Sequence, residues 1–220
     1  MTPRGEQPPR KEPPVPRPLL TRSAPSERPR AVALVLHGGA VHSTRPVDGR
    51  SASWQRARML QQAIAPQLHE HGVAVWLLRY RVRGWNDVHD PSPAPDARWA
   101  LERVRTELDV PVALVGHSMG ARTAVRVADD PAVVGVVGLA PWLPGDEPVR
   151  ALRGRDLVVG HGRRDRITSF ALSQAYVERS RAVTRSSAFH DLGQLGHYML
   201  RDRDRWHGFA TESVLDVLGR

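Results

Sequence analysis

The chain has 220 residues, 40% of them hydrophobic and 25% charged, which suits one domain with a buried core. It has no cysteine, and this excludes disulfides, thiolate metal centres and a cysteine nucleophile. The net charge of +9 rests almost wholly on arginine, often beside acids as in Arg201-Asp202-Arg203-Asp204-Arg205, so a locally neutralised surface is expected and no specific nucleic-acid partner.

Residues 1–29 carry nine of the 19 prolines and no apolar run longer than Leu19-Leu20. Such a segment buries too little surface to offset its ordering entropy. It reads as a disordered tail ahead of one domain over residues 30–220. The opening Met-Thr-Pro-Arg-Gly-Glu lacks the apolar core of a signal peptide, and no apolar run approaches a membrane span. A cytoplasmic protein without a membrane partner is expected.

From Arg30 onward, short apolar runs alternate with longer amphipathic stretches, the pattern of a parallel sheet covered by helices. Residues 31–36 read as a buried strand, and 53–67 as a helix with Leu60, Ile64 and Leu68 on one face. A strand over 73–78 precedes a helix over 96–108, with Asp96 placed to cap it. A strand over 112–115 and a helix from Met119 towards Asp129 follow. The remainder reads as strands at 133–139 and 157–159, a helix over 169–179, a strand near 187–189 and a closing helix over 206–218. The expected architecture is α/β: six parallel strands with helices on both faces.

Ligands of such sheets bind beyond the carboxyl ends of the strands, so residues that carry chemistry should follow strands. Four segments do so. They are Leu36-His37-Gly38-Gly39-Ala40, Gly116-His117-Ser118-Met119-Gly120, the acid loop from Val159 to Asp165, and Leu195-Gly196-His197-Tyr198. The G-x-S-x-G between an apolar strand and a helix is a nucleophile elbow, a turn too tight for side chains at its flanking positions. A serine hydroxyl needs a base to take its proton as it attacks a carbonyl, and His197 has the right chemistry. Asp165 accepts the other ring N–H and fixes the tautomer. The oxyanion needs preorganised donors, here the backbone N–H of Met119 and one from Gly39 or Ala40. The catalytic set is therefore Ser118, Asp165 and His197, with no metal and no cofactor required.

The competing residues fit less well. Asp156 precedes its strand, at the wrong end of the sheet, and His190 lies in or beside the last strand. His37 reads as orienting its loop, His117 as pointing away from the hydroxyl, and His161 as either packing or part of the acid loop. Arg45 and Arg83 read as surface residues before acidic-substrate contacts. Trp85 and Trp142 are equally suited to a substrate wall and to packing.

From about Arg30 to Leu218 the chain resembles the α/β-hydrolase superfamily, near its compact, lidless serine esterase-like and dienelactone hydrolase-like branches. The resemblance rests on His37-Gly38-Gly39, the elbow at Ser118, Asp165 and Gly196-His197, in the chain order Ser, Asp, His. Two features depart from the family pattern. Dienelactone hydrolases use a cysteine nucleophile, so lactone specificity does not carry over. The family also commonly has eight strands, and the first two are missing here or reduced to something near residues 18–23. The short link between Leu143 and Asp156 leaves no room for a helical lid. An open site is expected, shaped by residues 41–53, 83–86 and 141–144. The resemblance implies a serine hydrolase acting on small or medium carboxylic esters or thioesters through an acyl-enzyme. Amidase, peptidase or acyltransferase chemistry on the same triad is the enzymatic alternative. A non-catalytic binding protein, recruiting an acidic partner through its basic tail, is the other. The oligomeric state is left open.

Overall fold

The computed structural model describes residues 17–219. Seven strands form one sheet: β1 (Leu19–Ser23), β2 (Ala31–Leu36), β3 (Val73–Arg79), β4 (Val112–His117), β5 (Val133–Leu139), β6 (Asp156–His161) and β7 (Ser186–Asp191). Their order across the sheet is β1-β3-β2-β4-β5-β6-β7. The six expected strands are β2 to β7, and every neighbouring pair among them is parallel. Their Val-, Leu- and Ala-rich centres are covered from both sides, which is why β2 and β4 are buried at every position.

The additional strand β1 runs antiparallel along β3 at the edge. It corrects the expected tail, because residues 17–29 belong to the described fold, while residues 1–16 lie outside the described residues. The segment is held by backbone pairing and polar contacts in place of deep burial. Gln61 donates its amide to the carbonyl of Thr21 at 3.0 Å, Arg22 lies 4.6 Å over the Trp76 ring, and Arg22 pairs with Glu107.

Helices α1 (Ala52–Glu70) and α5 (Arg203–Leu218) pack against each other on one face, and α2 (Pro93–Glu107) packs with α3 (Met119–Val127) on the other. Strand alternation assigns α4 (Phe170–Ser180) to the α3 face. His161 of β6 bonds Ser173 of α4, whereas the preceding Gly160 faces Phe209 of α5. Helix α2 begins earlier than expected, with Pro93 in its first turn, where a missing N–H costs nothing. Asp96 is therefore not its cap. That carboxylate is buried and accepts the Arg81 backbone N–H at 2.8 Å and the Arg81 guanidinium at 2.5 Å. Between β5 and β6 there is one helical turn, Arg150–Leu152, and no lid.

The chain leaves β2 for β3 on one side and returns to β4 on the other. The β2–β4 border is thus the point where strand order reverses, the usual ligand crevice of such sheets. The loop beginning at His37 and the turn at Ser118 both lie there.

Candidate active site

Ser118 connects β4 directly to α3 with φ 55° and ψ −118°, a conformation that costs a non-glycine residue about 1–3 kcal/mol. The flanking glycines are demanded by packing. A Cβ on Gly120 would lie 2.0 Å from the Leu36 carbonyl oxygen, and one on Gly116 would lie 2.4 Å from the backbone of Ala121. Helix α3 can thus press onto β2 and β4 only if both positions lack side chains. The strain lifts the hydroxyl off the sheet at the amino end of α3.

Three elements converge on that hydroxyl. Nε2 of His197, from the loop after β7, lies 3.1 Å from Ser118 Oγ. The other ring nitrogen, Nδ1, donates to Oδ2 of Asp165 at 2.7 Å. Asp165 follows β6, so all three residues sit at carboxyl ends of strands. The sequence-predicted set is brought together as one hydrogen-bonded relay.

Asp165 has more partners than sequence reasoning supplied. Its Oδ2 also accepts from His161 Nε2 at 3.1 Å and from the Thr168 hydroxyl at 2.8 Å. Its Oδ1 takes the backbone N–H groups of Ile167 and Thr168 at 2.8 and 2.9 Å. Burial pushes this carboxyl upward, but the bonds from His161 and His197 and the two backbone donors outweigh it and hold it well below the usual carboxylate range. It is a fixed anion facing His197. His161 in turn is set by Ser173 at 2.9 Å from its Nδ1, so His161 belongs to the acid loop's hydrogen-bond network as well as to its packing.

Two further imidazoles shape the site. His117 Nε2 donates to the backbone carbonyl of His197 at 2.8 Å, so it holds the His197 segment from behind and stays clear of the serine hydroxyl. Burial, reinforced by His197 and Arg56, lowers its pKa to about 3. His37 donates from Nδ1 to the Gly38 carbonyl at 2.6 Å and accepts the Tyr80 N–H at 3.3 Å, which fixes the glycine loop as expected. Burial lowers its pKa to about 4. Both rings are neutral near pH 7. His190 lies in β7, exposed, with its ring 5.3 Å from that of Phe209 and away from the relay.

The oxyanion candidates separate on hydrogen bonding. Ala40 donates its N–H to the Arg83 carbonyl at 2.8 Å, so its assignment as an oxyanion donor is corrected: that hydrogen already stitches the loop to the segment after β3. No hydrogen bond among the described residues engages the N–H of Gly39 or Met119. Gly39 is pressed so closely on Met119 and Arg83 that no side chain fits.

Of the two tryptophans, Trp85 is a packing residue, whereas Trp142 is half-buried. Trp85 is 2% exposed, and the buried Arg122 guanidinium sits in the corner of the edge-to-face Trp85–Trp142 pair, 4.2 and 4.4 Å from the two ring centroids. Arg122 and Arg126 both pair with the buried carboxylate of Glu147. This cluster locks α3 to the loops around it, and the buried charge draws the Trp85 ring inward. Arg83 donates to the Pro46 carbonyl and to Asp48 and is a loop tie, in line with its surface reading. Among the described residues, no group of three or more His, Asp or Glu side chains is arranged to hold a metal ion.

Residues 33–215 match the Alpha/beta hydrolase family, and the chain belongs to that family. No curated protein matches the sequence. Among solved structures, the chain is similar to an alpha-beta serine hydrolase homologue from Coxiella burnetii at 16% identity and TM-score 0.70, covering 93% of this chain and 95% of that one. It is similar to Est1E from Butyrivibrio proteoclasticus, solved with ferulic acid, at 13% identity and TM-score 0.66, covering 92% and 96%. It is also similar to a serine hydrolase without a lid from Xanthomonas campestris at 18% identity and TM-score 0.67, covering 90% and 88%. At these identities the likeness is one of fold.

Proposed function

We propose that the protein is a serine hydrolase that cleaves small or medium carboxylic esters or thioesters through an acyl-enzyme. The relay from Ser118 through His197 to Asp165, built on a strained elbow, is the observation that carries this reading. His197 Nε2 takes the hydroxyl proton as Ser118 Oγ attacks the acyl carbon, and the carbonyl electron pair moves onto oxygen. The N–H groups of Met119 and Gly39 receive that oxyanion. Asp165 holds the imidazolium in place without taking its proton. Collapse of the tetrahedral adduct expels the alcohol or thiol, which leaves with the proton from Nε2. Water then repeats the sequence on the acyl-serine and releases the acid.

Two features support this division of labour. The Asp165 carboxylate is held by five donors, so it cannot swing away when His197 becomes charged. The absence of a lid between β5 and β6 suits substrates taken directly from solution. Ser118→Ala should reduce turnover of 4-nitrophenyl acetate by about 10³-fold or more while leaving the melting temperature within a few degrees. Turnover of that variant at the wild-type rate is the result against it.

A further inference from the structure

A cavity lies beside the loops that carry Asp165 and His197. It has a volume of about 540 Å³ and is lined by Arg164, Arg166, Gln194, Gly196 and Arg201. Gly196 immediately precedes His197, and Arg164 and Arg166 flank Asp165. Because the Asp165 carboxylate turns inward to His197 and His161, its two neighbours are carried outward on the same short loop and are exposed.

Some arginines of this chain are neutralised by a partner, and the three that line this hollow are not. Arg98, Arg105, Arg163 and Arg185 each pair with an aspartate. Arg164, Arg166 and Arg201 make no ion pair or side-chain hydrogen bond among the described residues. The nearby acids do not serve them. Asp165 spends both oxygens on inner donors and Asp191 holds Arg163. Asp202 and Asp204, although adjacent to Arg201 in sequence, form no ion pair with it. Three exposed guanidinium groups around one hollow give it a positive potential that draws an anion.

The position identifies which end of a substrate would enter. The oxyanion loop follows β2, whereas the acid and the base follow β6 and β7, so the acyl oxygen and the leaving group separate along the sheet. His197 returns its proton to the leaving atom, which places the leaving group on the β6–β7 side, against this cavity. A smaller, mainly apolar hollow of about 210 Å³ lies between, lined by Gly196, His197, Tyr198, Met199, Leu200 and Arg201. It shares Gly196 and Arg201 with the charged cavity.

Building on the serine hydrolase reading, we infer that this cavity binds a phosphate group on the leaving alcohol or thiol. A phosphate monoester carries a charge of about −1.5 to −2 at neutral pH and presents three acceptor oxygens, which match the paired donors of guanidinium groups. The short carbon segment between ester and phosphate crosses the apolar hollow beside Tyr198.

The test compares two esters with the same acyl group, 1-butyryl glycerol and 1-butyryl glycerol 3-phosphate, with the full-length protein at low ionic strength. The phosphorylated ester should have a kcat/KM about tenfold higher, mainly through KM, and the advantage should shrink in 0.5 M NaCl. Replacing Arg164, Arg166 and Arg201 together by Gln should bring the ratio close to one, and Arg166→Lys should keep most of it. A wild-type ratio of one or less, or a ratio unchanged in the triple variant, overturns the assignment. If the neutral ester is hydrolysed in either case, the failure is confined to the cavity. If wild-type protein hydrolyses neither ester, the reading of Ser118 fails and the cavity assignment fails with it.

Discussion

Gly39→Ala isolates the oxyanion loop from the rest of the relay. A Cβ at this position would lie 2.3 Å from the Arg83 carbonyl oxygen, 2.4 Å from Cε of Met119 and 2.5 Å from its Sδ, whereas ordinary contacts begin near 3.4 Å. The Met119 side chain ends in flexible bonds and can turn aside. The Arg83 carbonyl cannot move freely, because it accepts the Ala40 N–H at 2.8 Å and the Arg83 N–H is itself held by the Arg45 carbonyl at 3.0 Å. The glycine loop must therefore retreat by about 1 Å, carrying the Gly39 N–H away from the point where the oxyanion forms. A displacement of that size costs about 10²-fold, and losing such a donor costs about 10²–10³-fold. The expectation for 4-nitrophenyl acetate is a kcat lowered about 100-fold with little change in KM, together with a stability loss of about 1–3 kcal/mol from overpacking. Gly49→Ala, where an added Cβ meets nothing within 4 Å, is the matched control and should behave as wild type. A folded Gly39→Ala protein that keeps about half its kcat or more would refute the assignment of Gly39 as a donor.

Stability should also depend on pH through the two buried imidazoles. His37 and His117 titrate near pH 4 and 3 when folded, below the unfolded value of about 6.5. The unfolded chain therefore binds protons that the folded chain refuses. The stabilisation is complete above about pH 6.5 and is lost as pH falls towards the folded values, by about 1.4 kcal/mol per pH unit for each ring. Urea melts between pH 6.5 and 4.5 should show this decline, and His37→Gln should roughly halve its slope; stability that is flat or rises on acidification contradicts the burial argument. A separate test addresses the buried arginine. Glu147→Ala leaves the guanidinium of Arg122 desolvated against two indoles and should cost about 3–5 kcal/mol in a denaturant melt. A loss below about 1 kcal/mol would show that Glu147 is dispensable.

The parts of this molecule written in apolar periodicity were legible before any coordinates. Strands β2, β3 and β4 are runs of Val, Leu and Ala covered on both faces, and the carboxyl ends of β4, β6 and β7 located Ser118, Asp165 and His197. The edge strand β1 was not legible in that way. Its five residues alternate irregularly between exposed and half-buried, and its pairing comes from the backbone of β3, which no side-chain pattern reports. The misassigned Asp96 has a related cause, since a local capping signal yielded to a tertiary partner, Arg81, on the neighbouring loop.

Within the site, residue types were easier to read than hydrogen-bond partners. His161 and Thr168 both donate to the acid, and the spacing His161-x-x-x-Asp165 across one tight loop was a usable signal. The engagement of the Ala40 N–H depends on how two loops are stitched together, through Ala40, Ser43, Arg83 and Gly84. The inward turn of Trp85 and its edge-to-face contact with Trp142 depend on Arg122 from α3 meeting loops distant in sequence.

The central claim is that Ser118 is an activated nucleophile, and covalent labelling tests it most directly. Treatment with a fluorophosphonate followed by intact-mass measurement and peptide mapping should give one adduct, on Ser118. The reaction should slow strongly in a His197→Ala variant and disappear in Ser118→Ala. Wild-type protein that stays unmodified, or that carries the label on another residue, would contradict the account.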